Sequence, residues 1–238
     1  MGLLALGAVV ALFLISPIEQ NEEYHNFSDQ NTFFQIPNFW NVVSNLPFLI
    51  VGLMGLFNLK AFAEGKAQYL IFFLGIALVS LGSGYYHWNP NSETLVWDRL
   101  PMTVAFMALF SIIISEFISP KTGARILIPS LLAGVLSVLY WVEYGDLRAY
   151  ALVQFYPLLA IPVILLCFRS AYNLTSGYWL LLLAYIIAKF LEEYDHEVHN
   201  ILSGVSGHTL KHIAAACGLF ILTYTYLKRA RSKGEPKN

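Results

Sequence analysis

Gly207-His208-Thr209-Leu210-Lys211-His212-Ile213-Ala214-Ala215-Ala216 opens the last apolar segment of the chain, about residues 206 to 227. The segment is continuously apolar and close to the roughly 20 residues that a helix needs to cross a bilayer. On a helix, His208 and His212 are four residues apart and project from one face, about one turn of 5.4 Å along the axis. That separation suits a single metal ion, but two ligands do not make a site. Upstream, Ser83-Gly84-Tyr85-Tyr86-His87 offers a third imidazole, and eleven residues beyond it Asp98 offers a carboxylate.

The last segment has many counterparts. Of 238 residues, 57% are hydrophobic and only 12% charged, with mean hydropathy +0.60, whereas soluble domains carry about 25% charged residues. This is the composition of an all-α integral membrane protein. The apolar runs do not alternate, which argues against a β-barrel. Spans are expected at about 39–59, 68–88, 99–118, 126–142, 149–168, 177–195 and 206–227, a seven-helix transmembrane bundle. An additional hydrophobic helix is expected at the N-terminus, residues 2–17, read as retained rather than cleaved because no Lys or Arg precedes it. The domain reading is therefore 1–17 as that helix, 18–38 as an acidic extracytoplasmic loop, 39–227 as the seven-span domain and 228–238 as a basic tail. The net charge of -1 gives no reason to expect nucleic acid. Cys167 and Cys217 lie in apolar runs and read as small buried hydrophobes rather than a disulfide pair.

Orientation follows from the basic residues, since short cytoplasmic loops carry the excess of Lys and Arg. With the tail cytoplasmic, Lys60, Lys66, Lys121, Arg125, Arg169, Lys228, Arg229, Arg231, Lys233 and Lys237 share that side, ten of the 14 Lys and Arg residues. The opposite side receives acids from Glu19 through Glu197. Alternation then places Ser83, His87, Asp98, His208 and His212 at one level near the outer face. Ionisable groups inside spans are costly in hydrocarbon, so they usually face the bundle interior and mark a site. Three neutral imidazoles with an open fourth position are the usual design of a catalytic zinc centre, where the pKa of bound water falls to about 7. Each residue also has a plain structural reading: an interfacial His, a Ser bonded within its own helix, an Asp98 that caps its span. Their convergence on one level favours a site.

The order Ser83-x-x-x-His87, Asp98, His208-x-x-x-His212 resembles the pattern of the alkaline ceramidases, within the wider superfamily of seven-span hydrolases that includes the adiponectin receptors and Per1-like proteins. Phe39-Trp40-Asn41-Val42-Val43-Ser44-Asn45 also resembles their first core span, and the similarity runs from about Asn38 to Tyr226. The resemblance implies that His87, His208 and His212 bind Zn²⁺ and that Ser83 and Asp98 lie beside its water. Asp98 would accept a proton from that water, and the Ser83 hydroxyl would donate to the oxyanion on the substrate carbonyl. The implied reaction is amide hydrolysis of a ceramide-like membrane lipid to a long-chain base and a fatty acid, at the extracytoplasmic face. The family's calcium site uses loop acids and a Glu directly before the Phe-Trp-Asn triplet. Here that position is Asn38, and Glu19, Glu22, Glu23 and Asp29 lack the familiar spacing, which puts Ca²⁺ in doubt.

In Glu192-Glu193-Tyr194-Asp195-His196-Glu197-Val198-His199, the two His are three apart, which does not match the zinc-protease spacing. The cluster reads as a solvated helix end, with Glu193 as the candidate to support a ligand His through a hydrogen bond. Lys189 and Lys211 do not lie mid-span, which argues against a retinal Schiff base. Two other readings stay open: a lipid esterase or phospholipase of the same superfamily, and a receptor or scaffold with structural zinc. Lipid head group, chain length and oligomeric state are not legible in the residues.

Overall fold

The computed structural model describes residues 7, 10, 12, 14–62 and 65–231. The helix expected at 2–17 and the tail expected at 228–238 fall largely outside them. The described residues form helices joined by short turns: α1 (Phe39–Val43), α2 (Leu46–Phe57), α3 (Lys66–Trp88), α4 (Ser92–Phe117), α5 (Pro120–Tyr144), α6 (Arg148–Cys167), α7 (Ser176–Glu193), α8 (Asp195–Leu202) and α9 (Gly207–Lys228). Short 3₁₀ turns at Glu22–His25 and Leu59–Ala61 complete the elements. Among the described residues there are only isolated β-bridges, at Phe33–Ile36 and Tyr172–Arg231.

Among the described residues, six helical segments are long and apolar enough to cross a membrane: Phe39–Phe57, spanning α1 and α2, then α3, α4, α5, α6 and α9. The seventh expected span, α7, has 18 residues, but Lys189, Glu192 and Glu193 crowd its last turns. The outward faces are apolar, as a hydrocarbon surrounding would require. Along α3, Leu70, Leu74, Leu78 and Leu81 are exposed, while Phe72, Phe73, Ile76, Ser80, Ser83 and His87 are buried on the other side. Soluble monomers rarely expose apolar patches of that extent. Cys167 and Cys217 are free, as expected, but they are exposed among these outward apolar side chains rather than buried.

Polar caps start two helices earlier than hydropathy alone predicts. The Asn91 side chain accepts the Glu93 and Thr94 N–H groups, and Thr94 Oγ1 accepts the Asn91 N–H, a capping box that begins α4 at Ser92. Asp98 therefore lies inside α4 and does not cap it. Ser119 caps α5 with Pro120 at its first position, and Gly145 ends that helix in the left-handed conformation. In the bundle α9 packs along α7 and α2, α2 along α3, α3 along α4, and α4 against α5 and α6.

Candidate metal centre

The α3–α4 contact sets one wall of the centre. Pro101 has no N–H, so the carbonyl four residues before it, that of Trp97, loses its helical donor. A Cβ on Gly82 would collide with that carbonyl and touch the Pro101 ring. The glycine therefore lets the helices close at the level of Ser83 and Asp98, whose side chains interact. Both residues are buried.

The N-terminus of α9 sets the other wall. Ser206 caps it through the Thr209 N–H, at 2.9 Å. Asn41, fully buried in α1, accepts the Thr209 and Ser206 hydroxyls at 2.8 and 3.2 Å. Asp195 accepts the backbone N–H of His208 at 2.7 Å and that of Ser28 at 2.9 Å. Gly207 leaves room for the Leu191 carbonyl. Buried Asp195, rather than Glu193, thus fixes His208, and it does so through the backbone; Glu193 is exposed.

These walls bring His87, His208 and His212 together. All three are buried, and their ligand atoms lie within 4.8 Å of one another. The ring centroids are 4.7, 5.0 and 4.9 Å apart. The Nε2 atoms of His87 and His208 approach to 3.2 Å. Tetrahedral zinc with Zn–N bonds of about 2.0–2.1 Å would separate its nitrogen ligands by roughly 3.3 Å; the His87–His208 spacing matches that figure, and His212 lies within 4.8 Å of both.

Ser44 prepares one of the three. Its Oγ lies 3.1 Å from the Asn41 carbonyl and 2.7 Å from His212 Nδ1. A hydroxyl has one hydrogen, and the carbonyl can only accept. With that hydrogen on Asn41, Ser44 accepts from His212 Nδ1–H, leaving the Nε2 lone pair for a metal. Residues 18–36 cover the centre from above. Phe27 packs on His87 and His208, with centroids 4.6 and 4.3 Å away. His25 bridges Tyr86 Oη at 2.8 Å and Ser92 Oγ at 3.1 Å. Burial pushes the His25 imidazole below its ordinary value, while Glu22 pulls the other way.

Of the loop acids, Asp29 has a structural part. Asp29 is buried, and its two oxygens take the N–H groups of Asn31, Trp40 and Asn41 and the Asn31 side-chain amide. It caps α1, while Asn38 donates to the His87 carbonyl.

Ser83, Asp98 and His212 open on a cavity of about 460 Å³ between α2, α3, α4, α6, α7 and α9. Its walls are largely apolar, including Phe72, Ile76, Met102, Leu109, Ile161 and Leu182. Charge gathers at one end. Lys211 reaches Glu192 at 2.7 Å and lies 3.1 Å from His208 Nε2, and Lys189 also pairs with Glu192. In the sequence Lys211 stands out only as a discounted Schiff-base candidate, and Glu192 belongs to a run that reads as a solvated helix end. Their spacing to the His pair, Lys211 one before His212, was the available signal.

A family model described as Ceramidase matches residues 28–178. The chain belongs to the ceramidase family. For a ceramidase the expected reaction is hydrolysis of an amide bond in a ceramide-like lipid. The match includes Ser83, His87 and Asp98 but ends before His208 and His212, which only the fold brings to the same point. No curated protein matches the chain.

Proposed function

We propose that this ceramidase is a zinc-dependent, multi-pass membrane hydrolase that cleaves the amide of a ceramide-like lipid. The observation that carries the reading is the junction of three buried imidazoles with an apolar cavity whose wall holds Ser83 and Asp98. His87, His208 and His212 hold the ion. When bound, Zn²⁺ supplies Lewis acidity, polarising the carbonyl and acidifying water. Asp98 takes a proton from the attacking water and delivers it to the nitrogen as the C–N bond breaks. Ser83 donates to the carbonyl oxygen as negative charge develops. The acyl chain lies along the apolar wall, and the products are a fatty acid and a long-chain base.

In this reading α7 is the seventh span of a domain at 39–227, residues 1–17 add an N-terminal span, and 18–38 form the outer loop over the centre. The basic residues place the tail in the cytoplasm and the centre toward the extracytoplasmic face. A structural zinc site in a receptor needs four closed ligands, and the opening onto Asp98 and Ser83 disfavours it. Ester and phosphoester lipids remain the competing substrates, and the assay separates them.

The experiment measures release of fatty acid or long-chain base from matched amide, ester and phospholipid substrates by the purified chain, with and without chelator, alongside its metal content. Asp98→Asn should keep zinc and lose about 10²–10⁴-fold in rate. His212→Ala should lose zinc. Full activity in Asp98→Asn, or retention of zinc by His212→Ala, would sink the assignment. Labelling of the C-terminal tail from outside intact cells would overturn the orientation.

A further inference from the structure

Three half-buried cations among the described residues have carboxylate partners: Arg148 with Asp146, Lys211 with Glu192, Arg229 with Glu116. Arg99 differs. It is 6% exposed, lines the cavity next to Asp98 in sequence, and makes no ion pair with a described carboxylate. Its Nη2 donates to Gln20 Oε1 at 2.7 Å. Its Nη1 is buried without a hydrogen-bond partner. The guanidinium lies over Trp141 at 4.2 Å and Tyr150 at 4.7 Å, with Tyr24 at 5.8 Å. Ring contacts of this kind offset only part of the penalty of a buried charge with an unmade hydrogen bond. What the guanidinium still lacks is an acceptor carrying negative charge, which its planar fork binds best.

We propose that Arg99 is the head-group site of the cavity, recognising a phosphate or carboxylate carried by the lipid whose amide is cut. The inference rests on the amide-hydrolase reading for the other end of that lipid. The cavity supplies both ends of such a substrate, with Ser83 and Asp98 for the amide and the Arg99 cage for the anion, and an apolar wall for the chain.

The test uses the full-length, zinc-loaded protein and N-acyl lipids that share one acyl chain and differ in head group: a neutral diol, its phosphate monoester, and an amino-acid carboxylate. Wild type should favour an anionic lipid over the neutral one by at least tenfold in kcat/KM. Arg99→Gln should collapse that ratio toward unity, and Arg99→Lys should keep part of it. An unchanged ratio in Arg99→Gln, or a wild-type preference for the neutral lipid, overturns the proposal. A second readout is binding of a reduced-amide phosphate lipid, which cannot be hydrolysed, to wild type and Arg99→Lys. Affinity at least tenfold tighter for wild type supports the site. Displacement of that lipid by inorganic phosphate as effectively as by the intact anionic lipid would assign a free anion and overturn the head-group role. If the analogue binds through Arg99 while no amide is cut, amide hydrolysis fails and the site stands. If amides are cut without head-group preference, hydrolysis stands and the site fails.

Discussion

Replacing Ser44 by Ala removes one oxygen atom from beside His212 and changes none of the residues assigned to the metal or the reaction. That oxygen lies 2.7 Å from His212 Nδ1 and 3.1 Å from the Asn41 carbonyl, in a site where Ser44 is 4% exposed; with its hydrogen on the carbonyl, it accepts from Nδ1–H. Without it, the Nδ1–H loses its nearest acceptor and is left with the Asn41 carbonyl alone, at a cost of up to about 1–3 kcal/mol. The imidazole can escape that penalty by moving the proton to Nε2, which removes the lone pair a metal needs. Loss of comparable supporting partners weakens metal binding by about 10–100-fold, or roughly 1.4–2.7 kcal/mol, which agrees with the hydrogen-bond figure. The assay is competition for zinc against a graded series of chelators, with metal content read by mass spectrometry. Ser44→Ala should release zinc at about 10–100-fold lower chelator strength, and excess zinc should restore its hydrolytic rate. Ser137→Ala is the control, because its hydroxyl is also buried but bonds only the Gly134 carbonyl. Zinc affinity within twofold of wild type in Ser44→Ala would refute the tautomer argument, as would an equal loss in the control.

Three further outcomes follow from the packing around the centre. Gly82→Ala drives a methyl into the Trp97 carbonyl and should cost about 1–3 kcal/mol, lowering the thermal midpoint and the hydrolytic rate; an unchanged midpoint would remove the close-approach explanation. Asp195→Ala frees the N–H groups of His208 and Ser28, at about 1–3 kcal/mol for each group left without a partner, and limited proteolysis should then cut residues 18–36 faster. Equal cleavage rates would show that the loop is held elsewhere. The depressed pKa of His25 gives a pH signature: the unfolded chain takes up a proton near pH 6.5 while the folded imidazole stays neutral, so its contribution is complete above that pH and is lost as pH falls below it. Hydrogen exchange in residues 18–36, corrected for its intrinsic pH dependence, should rise between pH 8 and 5.5 in wild type and much less in His25→Gln; identical profiles would contradict the assignment.

The bundle was legible because a membrane helix must satisfy its backbone internally over a fixed thickness, so long apolar runs identify α3 to α6 and α9. Hydropathy placed the start of α4 near 99 because it is blind to Asn91, whose cap lets a polar first turn remain helical. Charge at one end of α7 serves the cavity rather than the span, which is why that helix reads less clearly than its neighbours. The three His residues could be found by spacing and alternation, since both are local rules. Ser44, Asp195 and Phe27 could not be assigned their parts that way. Ser44 meets His212 across 168 positions of sequence, and the Phe27 rings against His87 and His208 depend on how an extramembrane loop folds back. Arg99 was hidden for a different reason. Its neighbour Asp98 drew attention as a reacting group, while the absence of a carboxylate beside a buried guanidinium is visible only once the surroundings are assembled.

Both α4 and α9 carry polar groups at each end, and the two ends do different work. At the end away from the His residues, Arg229 grips Glu116 with both nitrogens, at 2.7 and 2.5 Å. The Tyr178 hydroxyl donates to the same carboxylate at 2.7 Å, and Tyr226 donates to Tyr178 at 3.1 Å. This fork needs no ligand, because donor and acceptor are both supplied by the chain. The other end is built differently: imidazole nitrogens face one another at 3.2 Å, and the Arg99 donor lacks an acceptor. At about 1.5 Å per residue, the 22 residues of α9 separate the two ends by roughly the thickness of a bilayer core. The closed clamp thus fixes α9 against α4 and α7 independently of any occupant, and the open end can keep its unmatched donors and acceptors for metal and substrate without the bundle depending on them for its packing.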